Sequence, residues 1–270
     1  GLLANVLTVP VMGAVVMPAG VLAALMAPFG LAWLPLWVME QGARWILFVA
    51  HWIAGLDGAV TAIPAPGPWV LPLFTLGAIW LILWRGRVQA IGLVPVLAAL
   101  ALWATAERPV LLIAGDGRLV GLAGPEGRAL SVARGGGFAA ENWLQNDGDL
   151  ADQATAARRP GFTGARGARW FELAGLRAVA LSGKDAEARL AEVCPRADLV
   201  ILAGRAGTPP GECLLVDQTV LDATGPLAVW QEGKGLRLEP TKGAQRLWSP
   251  GSGAVALPDL GARALALAGQ

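Results

Sequence analysis

A basic segment between residues 158 and 169 is the part of the sequence whose side chains most clearly suggest a chemistry. Its cations are Arg158, Arg159, Arg166 and Arg169. Guanidinium groups neutralise phosphates, and aromatic side chains such as the nearby Phe162 and Trp170 stack on unpaired bases. The segment therefore has the composition of a contact site for single-stranded nucleic acid. A solvated, arginine-rich loop is the more ordinary interpretation, and it stays open.

Metal-dependent hydrolysis is disfavoured by the supply of ligands. Zinc in proteins is held by histidine, cysteine and carboxylate, and the one histidine of the chain is His51, so residues 107–270 contain none. Four aspartates offer oxygen atoms to a harder cation: Asp116, Asp147, Asp149 and Asp152. Turn and surface positions are the favoured interpretation for these four. The sequence thus predicts no catalytic residues, no bound metal and no cofactor.

The two cysteines, Cys194 and Cys213, lie in the charged half of the chain. If that half faces an oxidising compartment, they are expected to form a disulfide. Two buried free thiols are the alternative, and a zinc site built from two cysteines alone is not expected.

The charged residues are distributed very unevenly along the chain. The first 106 residues contain only Arg44, Arg85, Arg87, Glu40 and Asp57, out of 21 basic and 20 acidic residues in all. The chain is 55% hydrophobic, with mean hydropathy +0.54, and its net charge of +1 provides no global basic field. This pattern predicts membrane or interfacial helices over residues 1–106, a soluble domain over 107–250 and a loose tail over 251–270.

Three segments of the first part are apolar enough to enter a bilayer. Leu2–Met26 is uncharged and long enough to cross about 30 Å of hydrocarbon. Trp69–Trp84 and Val88–Ala106 flank a short turn that contains Arg85 and Arg87, which predicts a helical hairpin with its turn in the cytoplasm. Residues after 106 are then expected on the outer face, which is the periplasm in a Gram-negative cell.

A fourth segment, Trp33–Leu56, contains Glu40, Arg44 and His51, which a helix places within about 40° of one another. It is predicted to lie in the membrane interface, with its tryptophans at headgroup level. The alternative is a span whose polar side faces a water-filled path. Together with Asn5 and Thr8 on the first segment, these residues are the candidates for a polar path through the membrane.

The second half reads as a strand-rich, layered α+β domain. Short apolar runs separated by glycine turns predict a three-stranded meander at Val110–Ala114, Leu119–Ala123 and Ala129–Ala133, and a hairpin at Arg169–Leu173 and Leu176–Leu181. Four later strands are predicted: Leu199–Ala203, Cys213–Asp217, Ala228–Glu232 and Gly235–Leu238. Helices are predicted at Phe138–Gln145, with Trp143 inward, and at Asp185–Val193, while residues 146–168 are predicted to be mainly loop.

The order of these segments resembles a known family. Residues 1–20, which contain the pattern N-x-L-x-V-P-V-M-G-x-V-V-M-P-x-G, are similar to the last core helix of the competence domain in ComEC-type DNA-internalisation proteins. A tryptophan-bearing amphipathic segment, a helical hairpin, an Arg-Pro pair and a strand with Asp-Gly follow in the same order. The resemblance implies an inner-membrane channel for single-stranded DNA in natural transformation, with a metallo-β-lactamase-like domain after the last span. It also implies an OB-like domain and further spans upstream.

The sequence departs from that family where zinc chemistry would be expected. Full members carry Asp-Val-Gly-Gln-Gly-Asp after the last span, where this chain has Ile113 to Arg118, Ile-Ala-Gly-Asp-Gly-Arg. The H-x-H-x-D-H motif is absent. The resemblance therefore implies a degenerate, non-catalytic metallo-β-lactamase-like domain.

The expected partners are single-stranded DNA, the lipid bilayer, and either other competence proteins or a second copy of the chain. Two alternative functions stay open. A membrane-tethered hydrolase would need carboxylates that converge in a cleft, and a membrane transport or assembly subunit unrelated to DNA would lack a phosphate-binding groove.

Overall fold

A computed structural model describes residues 2–56, 58, 61–206, 211–233 and 235–242. The chain forms two compact units, residues 1–61 and residues 62–270. The predicted tail over 251–270 lies outside the described residues.

The first unit begins with a long helical segment that changes its winding near two prolines. Helix α1 (Leu2–Val11) leads into a π-helical turn (Met12–Val16), helix α2 (Met17–Met26) and a short 3-10 turn. Proline has no N–H to donate to the carbonyl four residues earlier, so Pro10 loosens the helix just before the π turn. The predicted apolar helix is therefore present, and over Leu2–Phe29 it is long and apolar enough to cross a membrane.

Helix α3 (Trp33–Ala54) packs on this segment through one narrow face. Its buried residues are Pro35, Gly42 and Val49, which recur every seven residues and so share one side of the helix. A Cβ on Gly42 would lie 2.7 Å from Cγ2 of Val16, so the absence of a side chain here lets the two helices approach closely. We call these three residues the packing stripe.

The predicted hairpin is present at the start of the second unit. Helix α4 (Val70–Leu83) is followed by a 3-10 turn (Arg87–Gly92) and helix α5 (Leu93–Ala104). Gly77 and Gly92 face one another so closely that a Cβ on Gly77 would lie 2.7 Å from the Gly92 carbonyl oxygen. Small residues at a helix contact are typical of packing in lipid, where apolar side chains gain little by leaving their surroundings.

The exposed apolar side chains agree with membrane association of the helical region. Apart from Phe138 and Leu150, every exposed large hydrophobic residue in the described chain lies between residues 2 and 102. A second helical segment, Arg87–Ala104, also has the length and composition of a membrane span, whereas α4 is shorter.

The described residues between 107 and 242 form a strand-rich domain of two sheets. Its strands are β1 (Leu111–Ile113), β2 (Val120–Gly124), β3 (Gly127–Leu130), β4 (Ala168–Leu173), β5 (Leu176–Leu181), β6 (Leu199–Leu202), β7 (Leu214–Val216), β8 (Leu227–Glu232) and β9 (Gly235–Pro240). The first sheet has the order β3-β2-β1-β8-β9 and is antiparallel, and the second has the order β4-β5-β6-β7. Strands β5, β6 and β7 are parallel, while β4 pairs antiparallel with β5.

The two sheets pack face to face with helices outside them. Ile113 and Val120 of the first sheet share one core with Ala178 and Ile201 of the second. Helices α6 (Gly137–Asn146) and α7 (Gln153–Ala156) form a separate cluster with Leu119 and Leu130. Helix α8 (Leu190–Val193) packs with Val179 and Val200 on the far side of the second sheet. The result is the layered α+β domain predicted from the alternating apolar runs.

Three helical details differ from the sequence prediction. The helix predicted from Asp185 begins only at Leu190. The residues before it form turns, in which an N–H bonds to the carbonyl three residues earlier, as Leu190 N–H does to Glu187 O. Helix α7 lies inside the predicted loop, and helix α9 (Gln218–Thr224) was not predicted. Asp152 caps α7 and Asp217 caps α9, each by accepting a backbone N–H in the first turn.

Candidate functional site

The polar residues of α3 form a stripe on the opposite side of the helix from its packing stripe. Glu40, Arg44 and His51 lie about 180° away from Gly42 and Val49 at about 100° per residue. Arg44 Nη2 lies 2.8 Å from Glu40 Oε1, and both side chains are more than half exposed. The ion pair, the only one described in the first unit, thus lies on the side of α3 that faces away from the preceding helical segment.

The two polar residues of α1 have different surroundings. Thr8 Oγ1 donates to the Ala4 carbonyl at 2.8 Å, while Asn5 is exposed. Trp45 of α3 donates its indole N–H to the Leu7 carbonyl at 3.2 Å. This bond supplies a donor to the helix close to Pro10, where a backbone donor is missing.

The four arginines of the basic segment have different environments. Arg159 is largely buried: it pairs with Asp149 and donates to the Arg128 carbonyl, so it serves the fold. Arg169 donates to the Gly164 carbonyl at 3.1 Å, and its Nε is buried without a partner among the described residues. Arg158 and Arg166 are exposed.

The two aromatic residues of the segment do not form a surface for stacking bases. Phe162 is buried and packs edge-on against Phe171, with ring centroids 5.3 Å apart. Trp170 is half-buried, and the Arg196 guanidinium lies over its ring at 5.9 Å. The expectation that Phe162 stacks on bases is therefore wrong, because the core of the domain takes up this ring.

The four aspartates considered as cation ligands are dispersed among structural roles. Asp116 accepts the Arg118 backbone N–H, and Asp152 caps α7. Asp147 and Asp149 pair with different arginines. A hydrogen bond from Arg159 holds the pKa of Asp149 below its ordinary value, and hydrogen bonds from Thr155 do the same to the pKa of Asp152. The described residues contain no group of three or more histidine, cysteine or acidic side chains placed to hold a metal.

A buried ion pair joins the domain to the residues that follow the hairpin. Arg128 is 1% exposed, and its guanidinium contacts Asp147 through two bonds of 2.5 and 3.2 Å. The same group donates to the carbonyls of Gly121 and Pro109. Pro109 lies five residues after the end of α5 at Ala104, so Arg128 ties the segment that leaves α5 to the first sheet.

The segment that precedes the hairpin also forms hydrogen bonds with the strand-rich domain and with α5. The Ala65 N–H donates to the Asn146 carbonyl, and Arg108 donates to the Ala65 carbonyl, each at 2.8 Å. Trp103 of α5 donates to the Pro64 carbonyl, also at 2.8 Å. Both ends of the hairpin are therefore held at the strand-rich domain within this unit.

Cys194 and Cys213 are bonded in the structure, with an S–S distance of 2.01 Å and Cα atoms 5.3 Å apart. Cys194 starts the 3-10 turn after α8, and Cys213 immediately precedes β7. Both are buried in the cluster that covers the second sheet. The bond thus fastens the helical layer to the strand at the sheet edge.

A cavity of about 540 Å³ opens at one edge of the two sheets. We call it the basic cavity, and it is lined chiefly by Arg118, Val132, Arg134, Ser182, Lys184 and Ala203. Strands β1 and β3 are both antiparallel to β2, and β5 is parallel to β6, so the carboxyl ends of each pair lie at a common edge. Gly117 (φ 66°) turns the chain after β1, and a Cβ here would lie 3.0 Å from the Leu202 carbonyl oxygen. This close approach brings the edge of the first sheet next to the edge of the second.

The three cations of the basic cavity were not predicted from the sequence. Arg118, Arg134 and Lys184 are far apart in sequence and meet only because the strands that precede them end at one edge. A signal was present nonetheless. Each cation lies beside a glycine just after a predicted strand: Gly117, Gly135 and Gly183.

Comparison with known proteins gives a family match for the first part of the chain. Residues 1–88 match the family model described as Competence protein. No curated protein and no solved structure matches the chain. The match spans the first unit, the connecting segment and α4, and it ends at the turn of the hairpin, so the strand-rich domain lies outside it. Residues 1–88 of this chain are thus similar to the competence protein family.

Proposed function

We propose that the chain is part of an inner-membrane channel of the ComEC type, which takes up single-stranded DNA during natural transformation. The observation that carries this proposal is the match of residues 1–88 to the competence protein family. The two candidate membrane spans and the apolar surface of the helices support it. Its partners are then the incoming strand, the bilayer, and other competence proteins or a second copy of the chain.

The polar stripe of α3 is the proposed lining of the DNA path in this part of the channel. Polar groups at membrane depth are costly, so they tend to mark paths for polar substrates. The packing stripe occupies the opposite side of the helix, which leaves Glu40, Arg44 and His51 available to face such a path. Asn5 and Thr8 are the further candidates on α1.

The orientation follows from the charge of the hairpin turn. Arg85 and Arg87 flank the turn between α4 and the following helical segment, and short loops rich in arginine remain in the cytoplasm. The strand-rich domain then lies in the periplasm, where the Cys194–Cys213 bond is stable.

The strand-rich domain is proposed to be a degenerate metallo-β-lactamase-like domain that does not catalyse hydrolysis. Two layered sheets with helices outside them support this assignment. The residues present do not fit a zinc centre, since residues 107–270 contain no histidine and the aspartates have the separate roles described above. The alternative of a tethered hydrolase would require converging carboxylates, and the described residues contain no such group.

Photocrosslinking during DNA uptake tests the proposed path. Trp33 and Trp37 lie on the same side of α3 as the polar stripe and are exposed, so a photoreactive phenylalanine replaces either with little change in size. Illumination of cells that are taking up labelled DNA is expected to give a protein–DNA adduct at these positions. The control is the same substitution at Phe74, an exposed aromatic residue on a different helix, α4. Adducts at Phe74 but not at Trp33 or Trp37 would place the DNA elsewhere.

A further inference from the structure

We propose that the basic cavity binds the phosphodiester backbone of a single DNA strand before the strand enters the membrane. The identity of the strand as DNA rests on the proposed function, whereas the affinity for phosphates follows from the cavity itself. The cavity lies at the sheet edge and not in the basic segment that the sequence suggested.

The charge of the cavity is the first argument. Arg118, Arg134 and Lys184 are exposed, and none forms an ion pair with any carboxylate in the part of the chain that the structure describes. The other arginine near this edge, Arg205, is paired with Asp222 at 2.5 Å. Three cations that converge on one concavity without neutralising partners attract an anion with several charges.

Three carboxylates of this edge are directed to other groups. Asp116 accepts the backbone N–H of Arg118, and Glu187 accepts the backbone N–H of Arg205 at 3.2 Å. Asp222 is held by Arg205 and Gln218. No carboxylate is among the residues that line the cavity, so nothing within the described lining opposes the entry of a phosphate.

The lining also determines which part of a nucleic acid is recognised. It offers cations, the Ser182 hydroxyl and two glycines, Gly135 and Gly183, but the described lining contains no aromatic ring. Bases are held in sequence-independent sites mainly by aromatic stacking, and phosphates by lysine and arginine. The cavity therefore recognises backbone and not base, and we expect little preference among oligothymidylate, oligocytidylate and oligoadenylate.

The concave shape favours a single strand over a duplex. A flexible strand can turn successive phosphates into a cavity of about 540 Å³. Duplex DNA is stiff over a persistence length of about 50 nm, so its phosphates stay on a regular cylinder and cannot follow a small concavity. Binding of a duplex of equal length is expected to be weaker.

Binding of a fluorescent oligothymidylate to the whole chain in detergent micelles tests the proposal. The triple variant Arg118→Ala/Arg134→Ala/Lys184→Ala is expected to raise the Kd at least about tenfold. The slope of log K against log salt should fall by about 2, because each single-strand phosphate contact contributes about 0.7. A charge-conserving variant, Arg118→Lys/Arg134→Lys, should retain most of the affinity.

The matched control removes the same charge elsewhere: Arg158→Ala/Arg166→Ala/Arg177→Ala, all three exposed in the strand-rich domain. The proposal is overturned if the parent does not bind the oligonucleotide, if the cavity variant binds like the parent, or if the control loses as much affinity. Unchanged protease resistance of both variants shows that their folds are intact. If the parent binds the oligonucleotide but cells lacking the chain transform normally, the proposed function fails and the cavity proposal stands. If cells lacking the chain fail to transform but the parent does not bind the oligonucleotide, the cavity proposal fails and the proposed function stands.

Discussion

Replacing Asp147 by asparagine is expected to lower the free energy of unfolding of the strand-rich domain by about 3 kcal/mol. The substitution leaves the Arg128 guanidinium, 1% exposed, without the carboxylate that neutralises it. An unpaired buried charge is costly because its hydration is lost without compensation. Pulse proteolysis of the whole chain in micelles across a urea series measures the change.

The matched control for this experiment is a surface pair of the same kind. Arg237 and Glu232 are 2.5 Å apart, but their side chains are 50% and 62% exposed. Glu232→Gln is expected to cost less than about 1 kcal/mol, since exposed pairs are screened by solvent. Equal losses in the two variants would mean that the Arg128–Asp147 pair does not hold the domain to the exit of the last helix.

Removing the disulfide is expected to cause the second large loss of stability. The variant Cys194→Ser/Cys213→Ser is expected to destabilise the strand-rich domain by about 3 kcal/mol, the chain-entropy value for a closed loop of this length. The two residues are 19 apart in sequence. Reduction of the parent should give a similar loss and should leave the double variant unaffected, which separates the bond from the effect of the serines.

The same cysteines report on the orientation of the domain. Cells are lysed in the presence of an alkylating reagent that traps free thiols. Cys194 and Cys213 are expected to remain unalkylated, because disulfides persist in the periplasm and thiols in the cytoplasm are kept reduced. Recovery of both thiols alkylated in otherwise healthy cells would contradict the periplasmic location.

Local sequence patterns predicted most of the secondary structure. The hairpin around Arg85 and Arg87 and the strands of the meander were predicted close to their observed bounds, because apolar runs and glycine turns are local signals. Helix α6 was also predicted, with Trp143 packed toward Leu144 and Leu119 as expected. Helices α7 and α9 were missed, although Asp152 and Asp217 are ordinary N-cap residues, because each helix is short.

The candidate site was harder to predict because it depends on contacts distant in sequence. Arg159 looks like part of a surface patch, yet Asp149, ten residues earlier, draws it into the fold. Arg128 gave no signal of burial, since burial of a charge depends on the partner brought to it. The basic cavity exists only because the carboxyl ends of strands from both sheets meet, and this topology could not be read from the sequence.

DNA entry in cells that lack this chain tests the central claim most directly. We predict that natural transformation falls by orders of magnitude when the chain is removed and returns when it is restored. Electroporation of the same DNA should be unaffected, because it bypasses the uptake channel and shows that recombination is intact. Natural transformation that continues at the parental frequency without the chain would contradict a role in DNA uptake.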